Sequence, residues 1–188
     1  HPRFHIGESL LPANVPLMEK LGVLDKVRAL GVLKLGADFP ELSGTPHVFR
    51  FDQALGNTPG YAFQVKREDF DAMLFEHARE SGADSRQRLK IEQVAFDGEG
   101  VVAQVAANGA PGRIRARYLV DASGRDTFLG NALKTKRKNP KHQSAAIFAH
   151  FHNVERRPGD DAGNISIYRF DHGWAWMIPL PEGVMSVG

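Results

Sequence analysis

Cysteine is absent from the 188 residues, which excludes disulfides, thiolate-held metals and cysteine nucleophiles and fits a reducing compartment. Apolar runs are short. None approaches the roughly 18 residues that a membrane span needs, and no secretory leader is visible, so a cytoplasmic protein without a membrane span is expected. Charge of one sign is scarce as well: Lys+Arg 24 against Asp+Glu 22 leaves a formal net charge of +2, too small an excess to argue for nucleic acid. The 8 histidines fall into neither a His-x-x-x-His nor a His-Glu-x-x-His pattern, so no metal site is expected. What is present is ordinary for a globular protein, with 42% hydrophobic and 24% charged residues, 19 Gly and 11 Pro. That balance excludes collagen-like, low-complexity and largely disordered classes. The chain opens at His1 without Met and stops at Val187-Gly188 behind an apolar run, which raises the expectation of a piece of a longer protein.

Local patterns order the chain into elements. Asn14 is a candidate N-cap with Pro16 early in the helix behind it, Leu17, Met18 and Leu21 on one face, and Gly22 as the stop. Residues 23–30 read as a second short helix. From Val32 to Phe51 the pattern is strand-like, with a turn at Gly44-Thr45-Pro46, and Tyr61 to Val65 is another strand. The strongest helix runs from Arg67 to Ser81, because Phe70, Met73, Leu74, His77 and Ala78 recur at helical spacing before Gly82. A meander follows, with turns at residues 97–100 and 108–112. It ends in an expected buried strand, Tyr118-Leu119-Val120, that runs into Asp121-Ala122-Ser123-Gly124. Strands are also expected over 144–151, 165–170 and 174–180. The pattern predicts an α/β or mixed α+β class.

Four features carry chemistry. Asp121 and Gly124 follow an apolar strand, where α/β proteins bind nucleotides, although ordinary turn chemistry explains them as well. Arg67 opens the long helix, where the dipole favours anions, so a phosphate or carboxylate partner is expected unless the side chain is simply solvated. Trp174 and Trp176 lie two apart in a strand and therefore on one face, as core filler or as the wall of a pocket for a planar ligand. Lys34 is a lone cation in a glycine-flanked apolar run, either on an edge strand in water or held in a pocket as a donor or nucleophile. The basic run Lys134-Thr135-Lys136-Arg137-Lys138, with Lys141 and His142 beyond it, has no interleaved aromatic residue. It is expected to be a solvated loop and not a nucleic-acid site.

The order of these segments identifies a resemblance. Phe4–Pro12 with its Gly7-Glu8-Ser9, then Lys34–Phe39, Val65–Asp71, Leu119–Arg125 and Gly173–Pro179 together resemble a flavin-dependent halogenase, within the FAD-dependent monooxygenase and geranylgeranyl-reductase-like superfamily. The resemblance implies an FAD-binding Rossmann-like domain of the aromatic-hydroxylase type, incomplete here, with a β-sheet substrate domain. It divides the chain into an FAD-binding part, 1–45 and 61–135, and a substrate-side part, 46–60 and 136–188. The activity implied is halogenation of an electron-rich aromatic or pyrrolic substrate, free or carrier-bound, through a flavin hydroperoxide and hypohalous acid. Reduced flavin would come from a separate flavin reductase.

By the same resemblance Lys34 is the lysine that presents the electrophilic halogen, and Trp174 and Trp176 keep substrate from the flavin. Gly7, Glu8, Ser9, Arg67, Asp121 and Gly124 match positions that hold FAD. The Gly-x-Gly-x-x-Gly loop for the FAD pyrophosphate, which in the family precedes Phe4, is missing, so the piece alone is expected not to turn over. The alternatives are an FAD-dependent monooxygenase or reductase of the same fold, and an inactive fragment or binding module.

Overall fold

The computed structural model describes residues 1–40, 47–140 and 144–188. In chain order the elements are α1 (Val15–Lys20), α2 (Leu24–Leu30), β1 (Val32–Lys34), β2 (Gly36–Phe39), β3 (His47–Arg50), β4 (Ala62–Gln64), α3 (Arg67–Glu80), β5 (Leu89–Asp97), β6 (Gly100–Ala107), β7 (Ala110–Ala116), α4 (Phe128–Ala132), β8 (Ala149–Phe151), β9 (Ile165–Phe170), β10 (Gly173–Pro179) and β11 (Met185–Val187). Among the described residues no helix is long and apolar enough to cross a membrane. The turn expected at Gly44-Thr45-Pro46 lies outside the described residues, as do Lys141 and His142.

The chain forms two compact units, one of residues 1–85 and 146–188, the other of residues 86–145. In the first, a six-stranded sheet runs in the order β3-β2-β9-β10-β11-β8, and β1 pairs with β4 in a separate two-stranded sheet. Among the described residues, β2 and β9 are the one parallel pair of the large sheet. The α1–α2 pair buries Val15, Met18, Val23 and Val27 against Phe63 and Val65, and Phe70, Met73 and Leu74 of α3 pack on the same cluster. Leu17 and Leu21, expected on the buried face with Met18, are instead 56% and 50% exposed. A six-residue helix followed by a turn at Gly22 (φ +71°) presents too narrow a face to bury all three. Asn14 occupies the N-cap position, but its Oδ1 accepts the Leu11 N–H and does not cap the helix.

The second unit is the antiparallel meander β5-β6-β7. Val101, Ala103 and Val105 alternate onto its buried face, as period-2 geometry requires. Asn108 and Gly109 both take positive φ (+49° and +84°), the conformation a two-residue hairpin turn demands. One expectation fails here. β7 ends at Ala116, and Tyr118 and Val120 are 84% and 85% exposed, not a buried strand. A strand exists through its partner, and among the described residues no strand pairs with 118–120. The expected strand over 144–151 shrinks to β8 for the same reason, since only Ala149, His150 and Phe151 find partners on β11. Lys134–Lys138 is exposed.

The small sheet meets the segment before β9 through a backbone contact that excludes a side chain. A Cβ at Gly163 would lie 1.8 Å from Leu33 O, and Gln64 Nε2 donates to Gly163 O at 3.0 Å. Gly163→Ala is expected to lower the unfolding free energy by about 1–3 kcal/mol through overpacking. Gly98→Ala, with nothing near its Cβ, should stay within about 0.5 kcal/mol. Urea midpoints check the pair, and equal midpoints would contradict the packing.

Candidate functional site

The site grows from a pairing pattern. β1 sets Lys34 opposite Ala62 on β4, and Ser9 bridges Gln64 on the other edge of β4. Residues 62 and 64 share a face, so Lys34 and Ser9 project to the same side of this sheet. The result is a buried amine with defined acceptors. Lys34 is 2% exposed, its Nζ donates to Ser9 Oγ at 2.8 Å and to Leu10 O at 2.9 Å, and the Phe51 ring centroid lies 5.2 Å away. Burial lowers the lysine from 10.5 to about 8. Of the two readings of this lysine left open by its sequence context, the edge-strand residue pointing to water fails, because the side chain is buried.

Glu8, the preceding residue, points elsewhere. It is 1% exposed, its Oε1 accepts from His150 Nε2 at 2.6 Å, and its Oε2 has no hydrogen-bond partner among the described residues. His150 begins a row of rings. Phe4 stands edge-on to His150 at 5.0 Å and stacks on Phe148 at 5.8 Å, and Phe148 lies 6.3 Å from Trp176. Trp176 and Trp174 follow at 5.5 Å, on one face of β10 as their spacing requires. Their surroundings differ: Trp176 is 8% exposed and donates through Nε1 to Ser186 Oγ, whereas Trp174 is 59% exposed.

Arg67 finds the carboxylate its position called for one helical turn on. Its Nε and Nη2 donate to the two oxygens of Asp71 at 2.8 and 2.9 Å, and Nη1 donates to Ile6 O at 2.8 Å. Gly7 sits against this guanidinium at φ +100°, and a Cβ there would meet Arg67 Nη1 at 2.9 Å. Glu8, Ser9 and Arg67 therefore use their side chains on partners within the chain.

Asp121 and Gly124 belong to the second unit. The Asp121 carboxylate accepts the backbone N–H groups of Ser123 and Leu129 at 3.0 and 2.8 Å, and hydrogen bonds from the Ser123 side chain and these amides hold it below the usual carboxylate range. Gly124 takes φ +61° with open space where a Cβ would be. A cleft of about 260 Å³ is lined by Ile91, Leu119, Val120, Asp121, Ser123 and Phe128.

Three features escape a reading by sequence alone. Phe51 over the amine and His150 on Glu8 are non-local, though a lone histidine in the apolar run 147–151 is a faint sign of the second. The third lies on the large sheet. Asp38 is 1% exposed and is held by Asn164 Nδ2 at 3.1 Å, Arg157 Nε at 3.2 Å and Ser166 Oγ at 3.5 Å. Desolvation pushes its carboxyl up, and these partners oppose the shift.

The family model described as tryptophan halogenase matches residues 50–188. The 1H-pyrrole-2-carbonyl-[peptidyl-carrier protein] chlorinase of Pseudomonas fluorescens is 34% identical over 211 residues, covering 99% of this chain and 47% of that protein. Among solved structures, the myxobacterial chondrochloren halogenase CndH superposes with a TM-score of 0.82 at 33% identity, over 99% of this chain and 44% of its own. A flavoprotein/dehydrogenase from Cytophaga hutchinsonii gives 0.85 at 30% identity, over 99% of this chain and 46% of its own. The chain spans less than half the length of each of these relatives.

The buried amine has a signature in stability. The folded state favours the neutral form, so unfolding takes up a proton between pH 8 and 10.5, and stability rises with pH across that window. Against a Lys34→Met variant, in which all other groups titrate alike, the unmodified protein is expected to gain on the order of 3 kcal/mol as pH climbs through it. Urea unfolding of both proteins across the window measures this, and parallel stability curves would contradict it.

Proposed function

The chain belongs to the tryptophan halogenase family, and on that premise we propose that it serves FAD-dependent halogenation of an electron-rich aromatic or pyrrolic substrate. The observation that carries this is the amine of Lys34, buried without a counter-charge among the described residues and held by two neutral oxygens. FAD, reduced by a separate flavin reductase, supplies the reaction with oxygen and halide that makes the electrophilic halogen. Within the first unit, the Gly7 backbone, where a side chain would be strained at φ +100° and would press on Arg67, fits such a group. Glu8, Ser9 and Arg67 shape the same Gly7 segment from within. The chain's division into a flavin-binding part (1–45, 61–135) and a substrate-side part (46–60, 136–188) belongs to this proposal.

Lys34 acts on hypohalous acid. Its remaining N–H donates to the hypohalite oxygen and makes the halogen more electrophilic, in a site where little water competes. The aromatic carbon then takes the halogen and loses its proton, and water leaves with the oxygen. Trp174 and Trp176 exclude substrate from the flavin side. A carrier-bound substrate is supported by the relative named as acting on a pyrrole-carbonyl group held by a peptidyl-carrier protein.

Replacing Lys34 with Ala in the intact protein should lower halogenated product at least about a hundredfold, the scale of losing one preorganised donor, while FAD content stays normal. Continued halogenation would reject the assignment. A monooxygenase or reductase activity is the second reading, favoured by the likeness to the Cytophaga hutchinsonii flavoprotein/dehydrogenase. Rapid flavin reduction by NADPH alone, with product forming without halide, would select it.

A further inference from the structure

We propose that Ser9 and Phe51 are positioning residues for Lys34, which together leave its amine one N–H uncommitted among the described residues and fix where that N–H points. This rests on the role given to Lys34 under the proposed function. An ammonium carries three N–H bonds in a tetrahedral array. Ser9 Oγ takes one and Leu10 O takes another, so the direction of the third is determined. The Phe51 ring covers the amine, an attractive contact for a cation that adds no hydrogen-bond acceptor of its own.

The supports are themselves held. Ser9 is bridged to Gln64, Leu10 N–H donates to Phe63 O, and Phe51 N–H donates to Leu35 O at 3.0 Å. Phe51 is 6% exposed, so its ring has little freedom to leave. Their chemistry matters as much as their place. A carboxylate at either position would pair with the amine, raise its proton affinity and attract its donors away from a ligand. A hydroxyl and an aromatic ring orient the group while leaving its charge uncompensated and its last donor available. The Ser9 hydroxyl, one of the groups expected at the flavin, is thereby assigned to the lysine.

The test uses the intact, FAD-loaded protein with Ser9→Ala, Ser9→Thr and Phe51→Leu variants. Two quantities are read: the pH midpoint for acetylation of Lys34 by trace acetic anhydride, followed by peptide mass, and the halogenated product formed per reduced flavin consumed. Removing an acceptor from the ammonium disfavours the charged form, so Ser9→Ala should move the midpoint down by about one unit, a tenfold change in proton affinity. Product per flavin should fall about tenfold with the KM for the aromatic acceptor unchanged. Ser9→Thr keeps the hydroxyl and should restore both, and Phe51→Leu should move both in the direction of Ser9→Ala. An unmoved midpoint and unchanged coupling in Ser9→Ala would overturn the proposal. So would a loss of FAD with an unmoved midpoint, which would place the hydroxyl on the flavin. Should Ser9→Ala fail to fold, unchanged values in Phe51→Leu overturn it equally. The labelling arm is independent of turnover: if Lys34→Ala still halogenates, the proposed function fails while the midpoint shift still decides the positioning.

Discussion

A cation buried with no anion beside it among the described residues is the constraint on which this structure turns. Taking an ammonium out of water is costly unless its hydrogens find acceptors, and the cost persists even when they do. Here the acceptors are the Ser9 hydroxyl and the Leu10 carbonyl, and the nearest aromatic face is Phe51. A surface lysine would have been cheaper for folding. Retaining a buried one, with its proton affinity reduced by that burial, makes sense when the amine has a task that water would spoil.

That arrangement depends on holding five residues still. Residues 6–10 run beside β4, fixed by the Leu10 N–H on Phe63 O and by the Val65 N–H on Glu8 O. Arg67 clamps the Ile6 carbonyl from the start of α3, and its own fork is braced by Asp71. Glu8 reaches across to His150 on β8, whose ring begins the aromatic row ending at the two tryptophans. One short segment thus links a helix, the small sheet, the large sheet and the amine. Rigid backbone on several sides lets a flexible side chain such as lysine keep one geometry, because its acceptors do not move.

How much of this was legible in the sequence follows from the range of each signal. The long helix and the Asn108-Gly109 turn were readable because helical spacing and positive φ are local requirements. The facing of Trp174 and Trp176 followed from strand periodicity, but their unequal burial did not, since exposure depends on what covers each ring. Tyr118-Leu119-Val120 misled because apolar character resembles a buried strand, whereas a strand exists only with a partner. Arg67 was readable as a cation seeking an anion, and Asp71, four residues on, was the local answer. The burial of Lys34 was out of reach of any local pattern. Its acceptors are 24 and 25 residues away in the chain, and the ring over it arrives from beyond β3. Only the ordered set of motifs, matched to a family, pointed to it.

The most direct test of the central claim is a single-turnover transfer experiment. The intact, flavin-loaded protein and its Lys34→Ala variant are reduced once and given oxygen, bromide and an electron-rich phenol or pyrrole together, and both brominated product and released hypobromous acid are quantified. If the Lys34 N–H activates the hypobromous acid, the unmodified protein forms brominated product in proportion to protein, whereas the variant oxidises its flavin and releases hypobromous acid with little product. Equal product from the two proteins would contradict it.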